Sequence, residues 1–179
     1  MKNWFFPLLL CGALICSSPL ECFARSMLFH ATRKALARKI RNKGFSISKM
    51  KAGSRFGKGT YLSRSPKTAM RERKAADALL QVKVRKGLKQ NSLNMTRPTP
   101  KKLRSLIRVP DMRGATKKGI IGPKLGHKLG RYAGKTSRPI RYRSAKNAEG
   151  VNYFIPRKLS KKHPRVIQGV QMKSGGRYH

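Results

Sequence analysis

The sequence predicts an α+β fold of short strands and short helices, and three features carry the prediction. Apolar residues switch repeatedly between the alternation of a strand and the three-and-four spacing of a helix. Gly, Pro, Ser and Thr stand at the switches. No internal repeat is visible along the chain. In order, residues 27–30 read as a strand, and Thr32 can cap a helix whose apolar face is Ala35, Leu36, Ala37 and Ile40. Gly44 is its stop, and residues 45–47 resume extended structure. Gly57, Lys58 and Gly59 form a flexible turn into a β-prone run at 60–62. Ser65 and Pro66 then open a helix running to about Ala76. Leu80, Val82 and Val84 alternate with Gln81, Lys83 and Arg85 as a half-buried strand that Gly87 ends. Residues 100–107 form a short helix with Leu103, Leu106 and Ile107 on one side. The stretch 110–150, rich in Gly, Lys and Arg, reads as a long, basic, flexible loop. Residues 151–155 are strand-like until Pro156, 166–172 form a further strand, and 174–179 a frayed end.

The N-terminus has the pattern of an export signal. Lys2 precedes an apolar run over residues 4–15, Ser17 and Ser18 end it, and Cys22 and Ala24 supply small residues at the positions a signal peptidase reads. The run is shorter than the about 20 residues of an ordinary spanning helix. Residues 1–24 are therefore expected to be a signal peptide cut after Ala24, and 25–179 one secreted or periplasmic domain with a basic insert at 110–150. Cys11, Cys16 and Cys22 leave with the signal, so the exported part is expected to hold no disulfide. His30, His127, His163 and His179 lack metal-ligand spacing, and no metal is expected. No later segment is apolar enough to span a membrane.

Charge narrows the partners. The net charge is +39, and losing Lys2 and Glu21 with the signal leaves it unchanged. Glu72, Asp77, Asp111 and Glu149 are the acidic residues of the exported part. Such a chain repels itself unless a polyanion screens it. Basic residues run through the whole chain, which implies general affinity for polyanions, nucleic acid or an acidic protein, without base-specific readout.

Three segments in chain order resemble a known family. The first is Leu28-Phe29-His30-Ala31-Thr32, followed by a helix and Gly44-Phe45. The second is Arg55-Phe56-Gly57-Lys58-Gly59-Thr60-Tyr61-Leu62-Ser63, followed by Ser65 and Ala69. The third is Val151-Asn152-Tyr153-Phe154-Ile155, followed by Pro164-Arg165-Val166-Ile167. Together they resemble the ADP-ribosyltransferases of the poly(ADP-ribose) polymerase and diphtheria-toxin-like type, with their His-Gly-Thr strand, Gly-x-Gly-x-Tyr strand and late strand bearing a Glu. The resemblance covers residues 27–84 well and 151–172 loosely.

What it implies is an α+β fold of two small, mostly antiparallel sheets with an NAD cleft between them, flanked by short helices. NAD is the implied substrate. His30 would bond the adenosine-side ribose and help orient NAD, the backbone at Ala31 would pair with the nicotinamide amide, and Tyr61 would stack on the nicotinamide ring. Thr32, Gly57, Gly59 and Ser63 complete the expected NAD-binding set. The chain departs from the pattern in three places. Ala31 replaces the usual Gly, residues 69–73 lack the second aromatic that many members have, and Asn152 aligns with the family's late Glu. Glu149, three residues earlier, is the other candidate for that third catalytic position. In the family a non-Glu residue there goes with transfer of a single ADP-ribose or with lost activity. The expectation is an exported NAD-dependent mono-ADP-ribosyltransferase, a toxin or effector acting on nucleic acid or a nucleic-acid-associated protein. Alternatives are an inactive fold of this type that binds polyanions, a relative of the RNA 2′-phosphotransferases, and a small basic structural or antimicrobial protein.

The charge gives a first prediction. If roughly six phosphates are neutralised, affinity for duplex DNA falls ~10³-fold between about 50 and 200 mM salt, whatever the base sequence. A titration of labelled duplex across that range checks it, and a salt-independent affinity contradicts it.

Overall fold

The computed structural model of the chain describes residues 27–73, 75–108, 120–146, 149–161 and 167–173. The expected signal with its cysteines, part of the basic stretch, and the expected frayed end lie outside the described residues. Within them, β1 (Met27–Thr32), α1 (Lys34–Lys43), β2 (Gly59–Ser63), α2 (Pro66–Glu72) and β3 (Ala78–Val84) come first. β4 (Leu93–Met95), α3 (Pro100–Leu106), α4 (Pro123–Thr136), β5 (Ile140–Arg143), β6 (Val151–Pro156), α5 (Arg157–Lys161) and β7 (Ile167–Lys173) follow.

The strands form one open sheet of seven, ordered β4-β5-β6-β2-β1-β3-β7. All neighbours are antiparallel except β4 and β5. The class is α+β, as the sequence predicts, but the two expected sheets are halves of one. β1 and β3 pair from Met27–Lys83 through Thr32–Ala78, and β2 and β6 from Gly59–Pro156 through Ser63–Asn152. Between the halves, β1 and β2 pair only at Phe29 and Ser63. Beyond that pair the strands part, and the opening between them is a cleft.

Helix ends follow local chemistry, with one revision. Ser65 Oγ accepts from Thr68 N–H at 3.2 Å and Pro66 stands in the first turn of α2, as expected. Thr99 caps α3 in the same way, accepting from Lys102 N–H at 3.3 Å. Gly44 ends α1 with φ of 73°, its N–H donating to Ile40 O at 2.8 Å. Thr32, however, caps nothing: it is buried at the end of β1, and α1 starts two residues later. Its N-terminus is served from a distance, where Lys34 N–H donates to the Asp77 carboxylate at 2.5 Å. A negative charge there also complements the helix dipole. Residues 45–47, expected extended, are irregular. Helix α2 ends at Glu72, where Arg73 leaves helical geometry at φ −132° and ψ 82°.

Each face of the sheet buries a core. Along β6, Tyr153 and Ile155 join Leu28, Ile40, Leu62, Leu80 and Val82 beneath α1. Phe154 points the other way, into Phe56, Met95, Leu103, Leu129 and Ile140 beneath α3 and α4. The largest departure from the sequence reading is in this second core. Part of the stretch read as a basic loop is α4 and β5. Its glycines, Gly122, Gly126, Gly130 and Gly134, read as loop formers, yet they recur every fourth residue. Gly126 and Gly130 share a buried face with Leu125, Leu129 and Ala133. A Cβ on Gly126 would strike the Arg55 carbonyl, and one on Gly130 the Phe56 carbonyl. These glycines let the loop before β2 lie directly on the helix.

That packing predicts opposite outcomes for two similar substitutions. Gly130→Ala forces the Phe56 backbone outward and destabilises the domain by about 1–3 kcal/mol. Gly134→Ala meets open space and is neutral or stabilising by up to about 1 kcal/mol through helix propensity. Urea midpoints of the two variants check this, and equal effects would show that the loop does not rest on α4.

Candidate functional site

The cleft between β1 and β2 has a volume of about 630 Å³. Its floor is a row of side chains crossing four strands. Tyr142 on β5 stands opposite Asn152 on β6, Asn152 opposite Ser63 on β2, and Ser63 opposite Phe29 on β1. Directly opposed residues project to one face, and all four line the cleft. The row is hydrogen-bonded. Ser63 Oγ donates to Asn152 Oδ1 at 2.6 Å, and Asn152 Nδ2 donates to Glu72 Oε1 at 3.0 Å. Ser144 Oγ donates to the same carboxylate oxygen, and Lys146 Nζ bonds the Glu72 backbone carbonyl at 3.2 Å. Asn152 is fully buried, so these bonds at both ends of its amide satisfy it and fix its orientation.

His30 stands where the strands part. Its Nδ1 lies 2.8 Å from the Tyr61 backbone carbonyl. A carbonyl can only accept, so Nδ1 carries the proton, and in the neutral ring Nε2 is left as an acceptor. The imidazole also meets the edge of Phe45, with centroids 5.2 Å apart and planes at 86°. Burial pushes the His30 pKa down to about 4; the bond to Tyr61 opposes the shift and the charge of Arg73 adds to it.

Tyr61 is held by two hydrogen bonds at its hydroxyl and by ring packing. Its hydroxyl donates to Gly57 O at 3.1 Å and accepts from Phe56 N–H at 2.9 Å. The ring packs on Phe154, with centroids 5.1 Å apart. Burial raises the Tyr61 pKa to about 12, opposed mainly by the Phe56 N–H. Burial likewise raises that of Tyr142, helped by the negative charge of Glu72. Both rings are therefore neutral surfaces at physiological pH. Gly57 has φ of 84°, which only glycine adopts without strain, and that turn presents its carbonyl to Tyr61.

The structure thus brings His30, Ala31, Gly59, Tyr61, Ser63 and Asn152 to one cleft. Gly57 acts behind it through Tyr61. Thr32 is buried at the end of β1, its hydroxyl without a partner among the described residues, and it does not line the cleft. Glu149 is exposed in the turn before β6, also outside the lining. Glu72 and Tyr142, both in the cleft lining, are among the residues that sequence reasoning did not single out. Glu72 arrives from the end of α2, and Tyr142 from a strand hidden in the supposed loop. The scarcity of carboxylates in so basic a chain was the available signal for Glu72. For Tyr142 it was the alternation Ile140, Tyr142. Comparison with protein-family models, curated proteins and solved structures gives no match. Among the described residues no helix is long and apolar enough to cross a membrane.

The His30 environment fixes a pH dependence. Its folded pKa, about 4, lies below the ordinary 6.5. Between those values the unfolded chain binds the proton and the folded chain does not. Stability is therefore full above pH 6.5 and falls as pH drops toward 4, by on the order of 3 kcal/mol. Denaturation midpoints should show this slope, and His30→Gln should flatten it. A free imidazole titrating near 6.5 by NMR would contradict the assignment.

Proposed function

We propose that the chain is an exported NAD-dependent mono-ADP-ribosyltransferase, a toxin or effector acting on nucleic acid or a nucleic-acid-associated protein. One observation supports this above the others: His30, Tyr61 and Asn152 line a single cleft in which Glu72 supplies a carboxylate bonded to Asn152. In this reading the nicotinamide ring lies against Tyr61, and a ribose hydroxyl donates to Nε2 of His30. The bond from ribose C1′ to the nicotinamide nitrogen breaks, and its electron pair leaves with neutral nicotinamide. Positive charge builds on the ribose, and a fixed carboxylate beside it is the group that best stabilises it. Glu72 fills that part: both side-chain bonds fall on Oε1, and Oε2 takes neither of them. The acceptor's nucleophile then bonds C1′, and its proton passes to Glu72 or to solvent. Asn152 serves as a positioning residue for Glu72, which accounts for an Asn at the place where the family has Glu.

The charge of +39 supports the choice of acceptor, because it concentrates the enzyme on polyanions. A second reading, an inactive fold of this type that binds polyanions, draws on that charge and on the uncharged Asn152.

Labelled NAD incubated with the exported chain and cell lysate, with and without nuclease, separates the two. We expect label on a macromolecule as single ADP-ribose units, without chains. Loss of label on nuclease treatment identifies nucleic acid as acceptor, and survival identifies protein. Glu72→Gln should lower turnover by about 10²–10³-fold with NAD binding kept. Tyr61→Ala should weaken NAD several-fold to about tenfold. Glu149→Gln should behave as wild type. Absence of both label and calorimetric NAD binding would falsify the enzyme reading and leave the inactive one.

A further inference from the structure

Helix α4 has a second face, opposite its glycine face. Lys128, Arg131, Tyr132 and Lys135 follow the spacing i, i+3, i+4, i+7, which places them in one stripe about 10 Å long. Arg131 and Lys135 are exposed, and Lys128 and Tyr132 half-buried. Beside the stripe lies a groove of about 430 Å³, closed on its far side by Leu106, Ile107 and Arg108 at the end of α3. The groove combines two chemistries. Four cations line it, and none of the described carboxylates does. Glu72 is engaged in the cleft, Asp77 at the start of α1, and Glu149 in the turn before β6. Between the cations, Tyr132, Leu106 and Ile107 form an apolar ledge that rests on the core beneath.

We propose that this groove binds single-stranded nucleic acid, with the backbone along Lys128, Arg131, Lys135 and Arg108 and a base stacked on Tyr132. A rail of cations beside an aromatic platform is what an unpaired strand requires. A duplex offers the same phosphates but keeps its bases stacked inside, so the ledge would go unused. A polyanion without bases would likewise use only the rail. The site is separate from the NAD cleft and stands on different residues, so it does not depend on the proposed transferase activity.

The test is fluorescence anisotropy of the exported chain with labelled short oligothymidylate and oligouridylate, without NAD. Inorganic polyphosphate competition supplies the affinity for a base-free polyanion. Tyr132→Ala should weaken oligonucleotide binding about tenfold and leave polyphosphate binding unchanged. Tyr132→Phe should retain affinity, and Tyr132→Leu, which keeps apolar volume on the ledge, should lose it as Ala does. Replacing Lys128, Arg131 and Lys135 together by Gln should reduce the slope of log affinity against log salt by about 2. A control triple on the exposed residues Arg38, Lys39 and Arg41 of α1 removes equal charge elsewhere and should reduce it far less. Circular dichroism of each variant establishes that it is folded. Equal losses in the two triples would show that binding is spread over the surface and overturn the proposal. So would an unchanged oligonucleotide affinity in folded Tyr132→Leu, or a parallel loss of polyphosphate binding.

Discussion

The parting of β1 from β2 is the feature on which the rest of the molecule depends. Elsewhere neighbouring strands pair over several residues, but here one pair, Phe29 with Ser63, joins the two halves of the sheet. Two backbones that separate leave polar groups to be satisfied by other means. The His30 imidazole does this for the Tyr61 carbonyl, binding it across the gap. One side chain therefore ties the half-sheets together and stands in the opening they create. The halves can part without falling open because the core beneath α1 spans both, with Leu62, Tyr153 and Ile155 of one half packed among the residues of the other. Leu28, Leu80 and Val82 supply the other side of that shared core, while Phe154, Ile140 and Met95 add a second one beneath α3 and α4.

Acidic residues are so few that their positions carry information. Asp77 closes the start of α1, where the side chain before the helix offers no cap. Glu72 accepts from Asn152 and Ser144 at the floor of the cleft. Glu149 lies exposed in a turn. In a chain this positive, a carboxylate set into a network of neutral side-chain donors is the one source of negative charge among the described residues that line the cleft. The neutral His30 and the neutral tyrosines around it add no competing anion.

Much of this was legible in the sequence, and the omissions have physical causes. β1, β2 and β3 could be read because alternation and bounding glycines act locally, and Ser65-Pro66 marked the start of α2 for the same reason. His30, Tyr61 and Asn152 could be singled out because they sit on strands whose order is itself readable. Glu72 could not, because its place depends on where α2 ends and how that helix lies over the sheet, which is a matter of tertiary packing. Local chemistry favours Thr32 as a cap, yet the Asp77 carboxylate, distant in sequence, does that work. Helix α4 was hidden by its glycines. Gly126 and Gly130 lower intrinsic helix propensity, and they are present because the Arg55 and Phe56 carbonyls leave no room for a Cβ. Tertiary contact overrode a local preference there, and Tyr142, on the strand that follows, was missed with it.

The central claim is that the cleft holds NAD with its nicotinamide ring against Tyr61 and its reacting carbon facing Glu72. A crystal structure of residues 25–179 with a non-hydrolysable NAD analogue tests it most directly. The account predicts the nicotinamide ring against Tyr61, a ribose hydroxyl within hydrogen-bonding distance of His30 Nε2, and the Glu72 carboxylate facing ribose C1′. An analogue bound elsewhere, or seated in the cleft with Glu72 still turned away from the ribose, would contradict it.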